Sequence, residues 1–574
     1  MTTVRTPWVS AGGVAFPDQV PAELRRAWVE AGFCPGRGLY ELFAERVAAH
    51  PGRTAVVDGR GALSYRELDG RVRGLAAALA ARGVAAGSVV ATQLPADRRS
   101  LAADLAVAAL GAVVLPCVPG HGRRDLAALL GTSRADTVLT VGELPSGGRP
   151  LALLADLRGE LPYLQRVLDV EALPLLDREV SPVAVDPEAP ARILVSSGSE
   201  AAPKMIAYSH NALAGGRGRY VEEVLRTADG APPRVLLLVS PATAYGSLAV
   251  VALVRCGATV LLRDGFDPAG SLRAVSRLRP THLAAVPTML RRMAEQPPVP
   301  AEDLSSLQAV VSSSAVLTPA VLRGALARFG RPLVNVYGSS DGMNCHTRWT
   351  DPDGDVLRVG RPDPAVTAVR VCGPDGRPLP AGRPGEIQAR GPMSPLCHVG
   401  APAPDARQRV DGGWVRAGDL GVLDADGQLR VVSRIKQMVN RGGVSIGTAE
   451  VERLLDGHPA VAEAVCVPVP DPDLGERMCA CVVPRAAAVG LALADLTGFL
   501  AEDCGLERYK LPEHLLLLER LPVGSTGKPD RRALSVLAAA ARLPVGAQRT
   551  GAASAAKEQT ASATASTWVS VRCG

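Results

Sequence analysis

The chain has 574 residues, of which 47% are hydrophobic, 21% charged and 3% aromatic. That length exceeds one ordinary core, so two or more packed units are expected, with room to bury a large substrate pocket. The formal net charge of +6 arises from 63 basic and 57 acidic residues with no Lys or Arg block, which argues against a nucleic-acid or membrane partner.

In chain order, residues 1–38 read as an N-terminal extension, and the pattern then predicts a helix over 39–49, a strand over 55–57 and a helix over 66–82. Strands at 89–91, 113–115, 137–139, 192–195, 235–239 and 259–262 alternate with helical stretches. This is the α/β pattern of sheets covered by helices, and it assigns 39–436 to one large domain. After about Val371, Gly and Pro turns with short strands at 385–390 and 428–432 predict a β-rich subdomain within it. A small, mobile α+β domain is expected over 437–540, and the Ala, Ser and Thr of 541–574 read as a disordered tail. Asp104 and Arg255 interrupt the apolar stretches at 101–118 and 247–262, and no basic region precedes a greasy one at the N-terminus. The expectation is a soluble, cytoplasmic protein. Its eleven cysteines stand singly apart from Cys479 and Cys481, which would share one face of a strand, and they read as reduced core thiols.

The segment Val195-Ser196-Ser197-Gly198-Ser199-Glu200-Ala201-Ala202-Pro203-Lys204 follows a predicted strand and ends in a lysine. Small residues let successive N–H groups and hydroxyls surround a phosphate, and the ammonium adds a charge-assisted contact. It is not a Walker loop, because Gly-Lys-Ser/Thr is absent. Further along come Asn335-Val336-Tyr337-Gly338-Ser339-Ser340-Asp341, Trp414-Val415-Arg416-Ala417-Gly418-Asp419, Ser433-Arg434-Ile435-Lys436-Gln437 and Gly524-Ser525-Thr526-Gly527-Lys528-Pro529-Asp530-Arg531. Each alone would pass for an ordinary turn.

Together, in this order, they resemble the ANL superfamily of acyl-CoA synthetases, adenylation domains and luciferases over about 39–534. The first loop resembles the family's Thr-Ser-Gly-Thr-Thr-Gly-x-Pro-Lys, with Glu200 and Ala201 off the pattern. A carboxylate beside triphosphate is repulsive, so Glu200 is expected to face solvent or magnesium. The resemblance implies ATP binding by Ser196, Ser197, Gly198, Ser199, Lys204, Ala315, Asn335, Tyr337, Ser340, Asp341, Asp419, Arg434 and Lys528. Tyr337 would flank adenine, Asp341 would hold Mg2+, Asp419 would accept from the ribose hydroxyls with Arg434 beside it, and Lys528, Asp341 and Lys204 would be catalytic. Lys436 and Gln437 fall at the hinge, although an acidic or basic residue is usual at Gln437. Gly442 and Gly443, followed by Glu450-Val451-Glu452, match the loop that lines the thiol tunnel once the small domain turns.

The texture of Asn440-Arg441-Gly442-Gly443 and of 505–513 resembles the aryl-acid ligases. Those enzymes read the acid with a His-Asn-Tyr run, where this chain has Pro241-Ala242-Thr243-Ala244-Tyr245-Gly246. Tyr245, Ser313, Ser314 and Gly338 are the residues expected around the acid, and the serines of Ser312-Ser313-Ser314-Ala315 narrow a pocket that glycines usually line. The missing aspartate disfavours an amino acid. The implied reaction is activation of a small, aromatic acid as acyl-AMP, with CoA or the phosphopantetheine of a separate carrier protein as acceptor. Two rivals stand beside it: an ATP-dependent diazotase that activates nitrite for an aromatic amine, and a non-catalytic binding protein of the same fold.

Overall fold

The computed structural model describes residues 6–174, 182–196, 204–349, 355–442, 444–486, 490–524 and 528–541. The chain divides into two compact units, one of Met1–Leu317, Val321–Ala417 and Gly421–Val431, the other of Thr318–Ala320, Gly418–Leu420 and Val432–Gly574.

In the large unit the alternation of short apolar strands with helices builds two sheets, and the α/β expectation is met. The first orders its strands Cys397–His398, Lys204–Ser209, Pro190–Ser196, Val113–Pro116, Val89–Thr92, Thr137–Thr140 and Arg166–Asp169. The second runs Met343–His346, Leu333–Ser339, Ala309–Ser312, His282–Ala285, Arg234–Leu237, Thr259–Leu262, Thr54–Asp58 and Gly61–Ser64. Both are parallel through the middle and antiparallel at an edge, as expected when helices supply the crossovers.

One core draws side chains from both sheets, among them Val90, Val114 and Leu194 from the first and Val235, Val260 and Val311 from the second. Helices Arg98–Ala109 and Leu248–Cys256 lie within it, buried without a break over 101–109 and 248–254. That placement explains the two long apolar stretches: a helix covered on all sides has no polar face to show. Asp104 and Arg255, read from sequence as interruptions, are paired ions, Asp104 with Arg192 and Arg255 with Glu222. Helix Tyr65–Ala80 starts at a reciprocal cap in which Ser64 Oγ accepts from Glu67 N at 3.2 Å and Glu67 Oε2 accepts from Ser64 N at 2.7 Å. A cap of this kind contributes about 1 kcal/mol.

The strand expected over 235–239 ends at Leu237. Its last sheet bond is Leu238 N to Ala284 O at 3.0 Å, and the chain then turns toward Pro241, which has no N–H to give a ladder. The β-rich region forms a separate sheet of Ala368–Cys372, Gly385–Arg390, Trp414–Leu423 and Arg409–Val410, with Leu429–Arg434 against Trp414–Leu423.

The small unit is α+β. Strands Val461–Asp471 and Gly475–Pro484 form a long hairpin; Met438–Arg441, itself paired with Val444–Gly447, meets the second strand at Gly475, and His514–Leu517 runs parallel to that strand over Cys479–Val482. Helix Arg531–Ala541 buries Leu534 and Ala538 against it. Cys479 and Cys481 do share one face, in the same apolar cluster, and the described cysteines are free thiols. Most of the tail, 542–574, lies outside the described residues. Among the described residues no helix is long and apolar enough to cross a membrane.

Candidate active site

Strands Pro190–Ser196 and Lys204–Ser209 pair antiparallel with Ser196 opposite Lys204. Lys204 therefore re-enters the sheet where Ser196 leaves it. Ser197, Gly198 and Ser199, with Glu200 to Pro203, lie outside the described residues. The neighbouring strand Cys397–His398 sets His398 opposite Ile206, and from there His398 Nε2 donates to Asp341 Oδ1 at 2.6 Å. Asp341 Oδ2 accepts a longer bond from Ser339 Oγ, 3.2 Å. Gln408 completes the cluster: its amide nitrogen lies 3.3 Å from Asp341 Oδ1 and its oxygen accepts from Lys204 Nζ at 3.1 Å.

Burial would by itself lift the Asp341 carboxyl. The His398 hydrogen bond, backed by the charges of His398, Lys204 and Arg409, more than reverses this and holds it below the usual carboxylate range. Asp341 is thus an ionised carboxylate at 8% exposure, with Oδ2 less tightly engaged than Oδ1. Among the described residues no group of three or more His, Cys, Asp or Glu is placed to hold a metal. A hard cation fits here only with Asp341 as its carboxylate and with ligand phosphate and water supplying its other oxygens, a donor set suited to Mg2+.

Asp341 follows the strand that carries the aromatic motif. Asn335 is fixed by Nδ2 bonds to Val356 O and Arg358 O, 3.1 and 3.2 Å. Tyr337 packs against Met343, Cys345, Val359 and Ile387, and Ser340 O accepts from Tyr208 Oη at 2.8 Å. Gly338 is exposed, and a Cβ there would come within 2.7 Å of Asn344 Nδ2.

The segment 240–246 lies alongside strand Pro190–Ser196, with Thr243 bridged to Val195. Ser240 O accepts from Thr243 N and Thr243 Oγ1 at 3.0 and 2.8 Å, and Thr243 Oγ1 accepts from Gly246 N at 2.9 Å. Gly246 is required by close approach, since a Cβ would sit 1.9 Å from Ser240 O. Tyr245 is buried and its hydroxyl donates to Val311 O at 3.1 Å, so a ligand would meet its ring and lone pairs rather than its proton. Ser313 Oγ likewise donates to Val336 O at 3.2 Å, while Ser312 Oγ is buried without a partner among the described residues. Ser314 takes φ +75°, the left-handed region that favours glycine, and Ala315 after it is exposed. Two buried guanidiniums grip this segment, Arg192 through Pro241 O at 2.7 Å and Arg217 through Ala244 O at 2.5 Å.

In the small unit Asp419, 1% exposed, pairs with Arg434 Nε at 3.1 Å. Lys436 and Gln437 lie in the 3-10 turn Ile435–Gln437. Gly442 is exposed at φ +55°, and Gly443 lies outside the described residues. Lys528 stands on a turn closed by Gly524 N to Lys528 O at 2.8 Å. Three residues on, Arg531 forks onto Glu452 with two bonds of 2.7 Å and so moors that turn to helix Thr448–Leu455. Loss of hydration, then the Arg434 cation, brings the Lys528 ammonium down to about 8. Arg441 joins Glu513 at 3.1 Å, tying together the two segments whose texture resembled aryl-acid ligases.

His398, Gln408, Arg192 and Arg217 escaped the sequence reading. None sits in a recognisable motif, and each acquires its role from a strand or helix remote in the chain.

The AMP-binding enzyme family model matches residues 43–395, and the AMP-binding enzyme C-terminal domain matches 450–528. The chain is 31% identical to the 2-hydroxy-7-methoxy-5-methyl-1-naphthoate–CoA ligase of Streptomyces carzinostaticus, covering 92% of this chain and 97% of that protein. It is also 31% identical to the salicyl-AMP ligase / salicyl-S-ArCP synthetase of Mycobacterium tuberculosis, over 94% of this chain and 97% of that one. Among solved structures it resembles the amide bond synthetase McbA of Marinactinospora thermotolerans, with a TM-score of 0.74, 28% identity, and 86% of this chain and 99% of that chain covered.

Proposed function

Because the chain belongs to the family of AMP-binding enzymes, we propose that it activates a small aromatic carboxylic acid with ATP and passes the acyl group to a thiol. The observation that carries this reading is the buried, ionised Asp341 held by His398 beside Lys204, at the foot of the serine-rich segment. A carboxylate and an ammonium so placed suit a triphosphate and its cation. The aromatic acids named for the relatives from Streptomyces and Mycobacterium support the substrate class.

Lys204 and the 196–199 segment hold phosphate oxygens, Tyr337 flanks the base, and Asp419 with Arg434 holds the ribose. Magnesium, carried by Asp341, supplies neutralisation of phosphate charge. Lys528 faces the charge that builds on the α-phosphate as the carboxylate attacks it and pyrophosphate leaves, where one fixed cation is worth about 3 kcal/mol of barrier. In the second step a thiol sulfur attacks the acyl carbon and AMP departs. The thiol, of CoA or of a carrier protein, enters along the loop bearing Gly442 and Gly443, once the small domain has turned about Lys436 and Gln437. The work is cytoplasmic, on soluble substrates.

The test is acid-dependent ATP–pyrophosphate exchange over benzoates, cinnamates, fatty acids and amino acids. Exchange with aryl acids and not with the others is expected, and a flat response across the aryl set refutes the proposal. The likeness to McbA favours a second reading in which an amine captures the acyl-AMP. Product analysis with CoA and with an amine present together separates the two.

A further inference from the structure

Two guanidiniums lie buried around the segment 240–246, and they differ in one respect. Arg192, 1% exposed, has its carboxylate in Asp104. Arg217, 5% exposed on helix Gly216–Val224, has none among the described residues. Its described hydrogen bond goes to a neutral carbonyl, Ala244 O, and its Nε is buried without a partner. Burial presses this guanidinium toward losing its charge. The Tyr208 and Tyr220 phenols act against that, and the Arg192 cation adds to it.

A desolvated cation facing phenols and a second cation is an arrangement a fold maintains at a cost, and the remedy is an anion that arrives with a ligand. The position says which ligand. Ala244 precedes Tyr245, whose hydroxyl is fixed on Val311 beside Ser312 and Ser313. Tyr220 of the same helix meets His346 at 5.7 Å between ring centroids, and His346 ends the strand paired with the Tyr337 strand. Tyr208 carries the influence of both Arg217 and Asp341. Arg217 thus stands among the elements assigned to the acid.

Resting on the proposed function, we propose that Arg217 is a specificity residue that binds a second carboxylate on the aromatic acid, so that the preferred substrates are dianionic aryl acids. A planar fork suits a carboxylate, and a charged partner for a buried donor discriminates by about 10- to 100-fold against an analogue lacking it.

The experiment compares pyrophosphate exchange with benzoate, the three benzenedicarboxylates and their monomethyl esters. In the wild-type protein at least one dicarboxylate is expected to exceed benzoate in kcat/KM by about 10-fold or more, with the advantage lost in its monomethyl ester. Arg217→Met should lower kcat/KM for that dicarboxylate about 10-fold more than for benzoate. Exchange with benzoate and no preference for any second carboxylate overturns this proposal alone, as does a preference that survives esterification or Arg217→Met. The wild-type and ester arms decide the matter even if the variant does not fold. Exchange with no aryl acid at all overturns the proposed function and this inference with it.

Discussion

Replacing Arg192 by methionine keeps most of the length and apolar bulk of the side chain and takes away its charge. In the wild-type chain that charge lies against Asp104, which is 7% exposed, and another arm of the guanidinium holds Pro241 O at 2.7 Å. Two unit charges about 4 Å apart at an effective dielectric near 20 attract by about 4 kcal/mol. Burial already lifts the Asp104 carboxyl above its ordinary range against the pull of Arg192. Without that pull Asp104 is an uncompensated buried carboxylate, and the expected loss is about 3–5 kcal/mol at neutral pH. The sign of the pH dependence follows. A carboxyl raised in the folded state binds its proton there before it does in the unfolded chain, so stability falls as pH rises through the window between the two values. Arg192→Met widens that window upward, and its deficit should therefore grow from about pH 4 toward neutrality.

The double variant Arg192→Met/Asp104→Leu removes both charges and should recover at least half of the single variant's loss, because an apolar replacement of a buried pair is often close to neutral. Urea unfolding followed by tryptophan fluorescence is the assay, since Trp8, Trp28, Trp349 and Trp414 all belong to the large unit. A loss below about 1 kcal/mol for the single variant, or a double variant equal to the sum of the singles, refutes the reasoning.

Lys528→Ala should abolish adenylation yet leave thioester formation from supplied acyl-AMP largely intact, and equal loss of both half-reactions contradicts the assigned role. With Lys528 in the proposed role of a cation, and its ammonium brought down to about 8 by burial and Arg434, kcat/KM for ATP should fall as pH rises through that value; a flat profile from pH 7 to about 9.5 counts against it. Ser314→Gly relieves a left-handed serine, a gain of about 1–2 kcal/mol, offset by about 0.5–1 for the looser unfolded chain. A net rise of roughly 0.5–1 kcal/mol in unfolding free energy is expected, with acceptance of bulkier acids, and a lower urea midpoint says the backbone is unstrained. Asp341→Asn should raise the Mg2+ concentration giving half-maximal exchange about 10-fold or more, and an unchanged midpoint removes Asp341 as the cation's ligand.

Features carried by contiguous chemistry were legible. The alternation of strands and helices, the lysine after a small-residue run, and an acidic residue closing the Tyr337 motif announce themselves within a few residues of each other. Pairings made by tertiary structure were not. His398 reaches Asp341 across 57 positions because strand pairing sets it opposite Ile206, and nothing local marks it. Asp104 looked like a break in an apolar stretch because its partner Arg192 lies 88 residues away. Arg217 stands amid glycines in no motif, and its burial is evident only on the helix Gly216–Val224. The Lys528 turn was recognised, but its mooring was not: Arg531 and Glu452 are 79 positions apart.

The near-contact of Gly246 with Ser240 bears on how this enzyme could be retailored. Any side chain at 246 would force Ser240 and its carbonyl aside, and with them the two bonds that shape the turn carrying Thr243. The side chains at 242 and 244 carry no such lock, whereas Tyr245 is buried and bonded to Val311 O. A mutational library aimed at new acids therefore has a natural boundary: randomise 242 and 244, and leave 245 and 246 as they are.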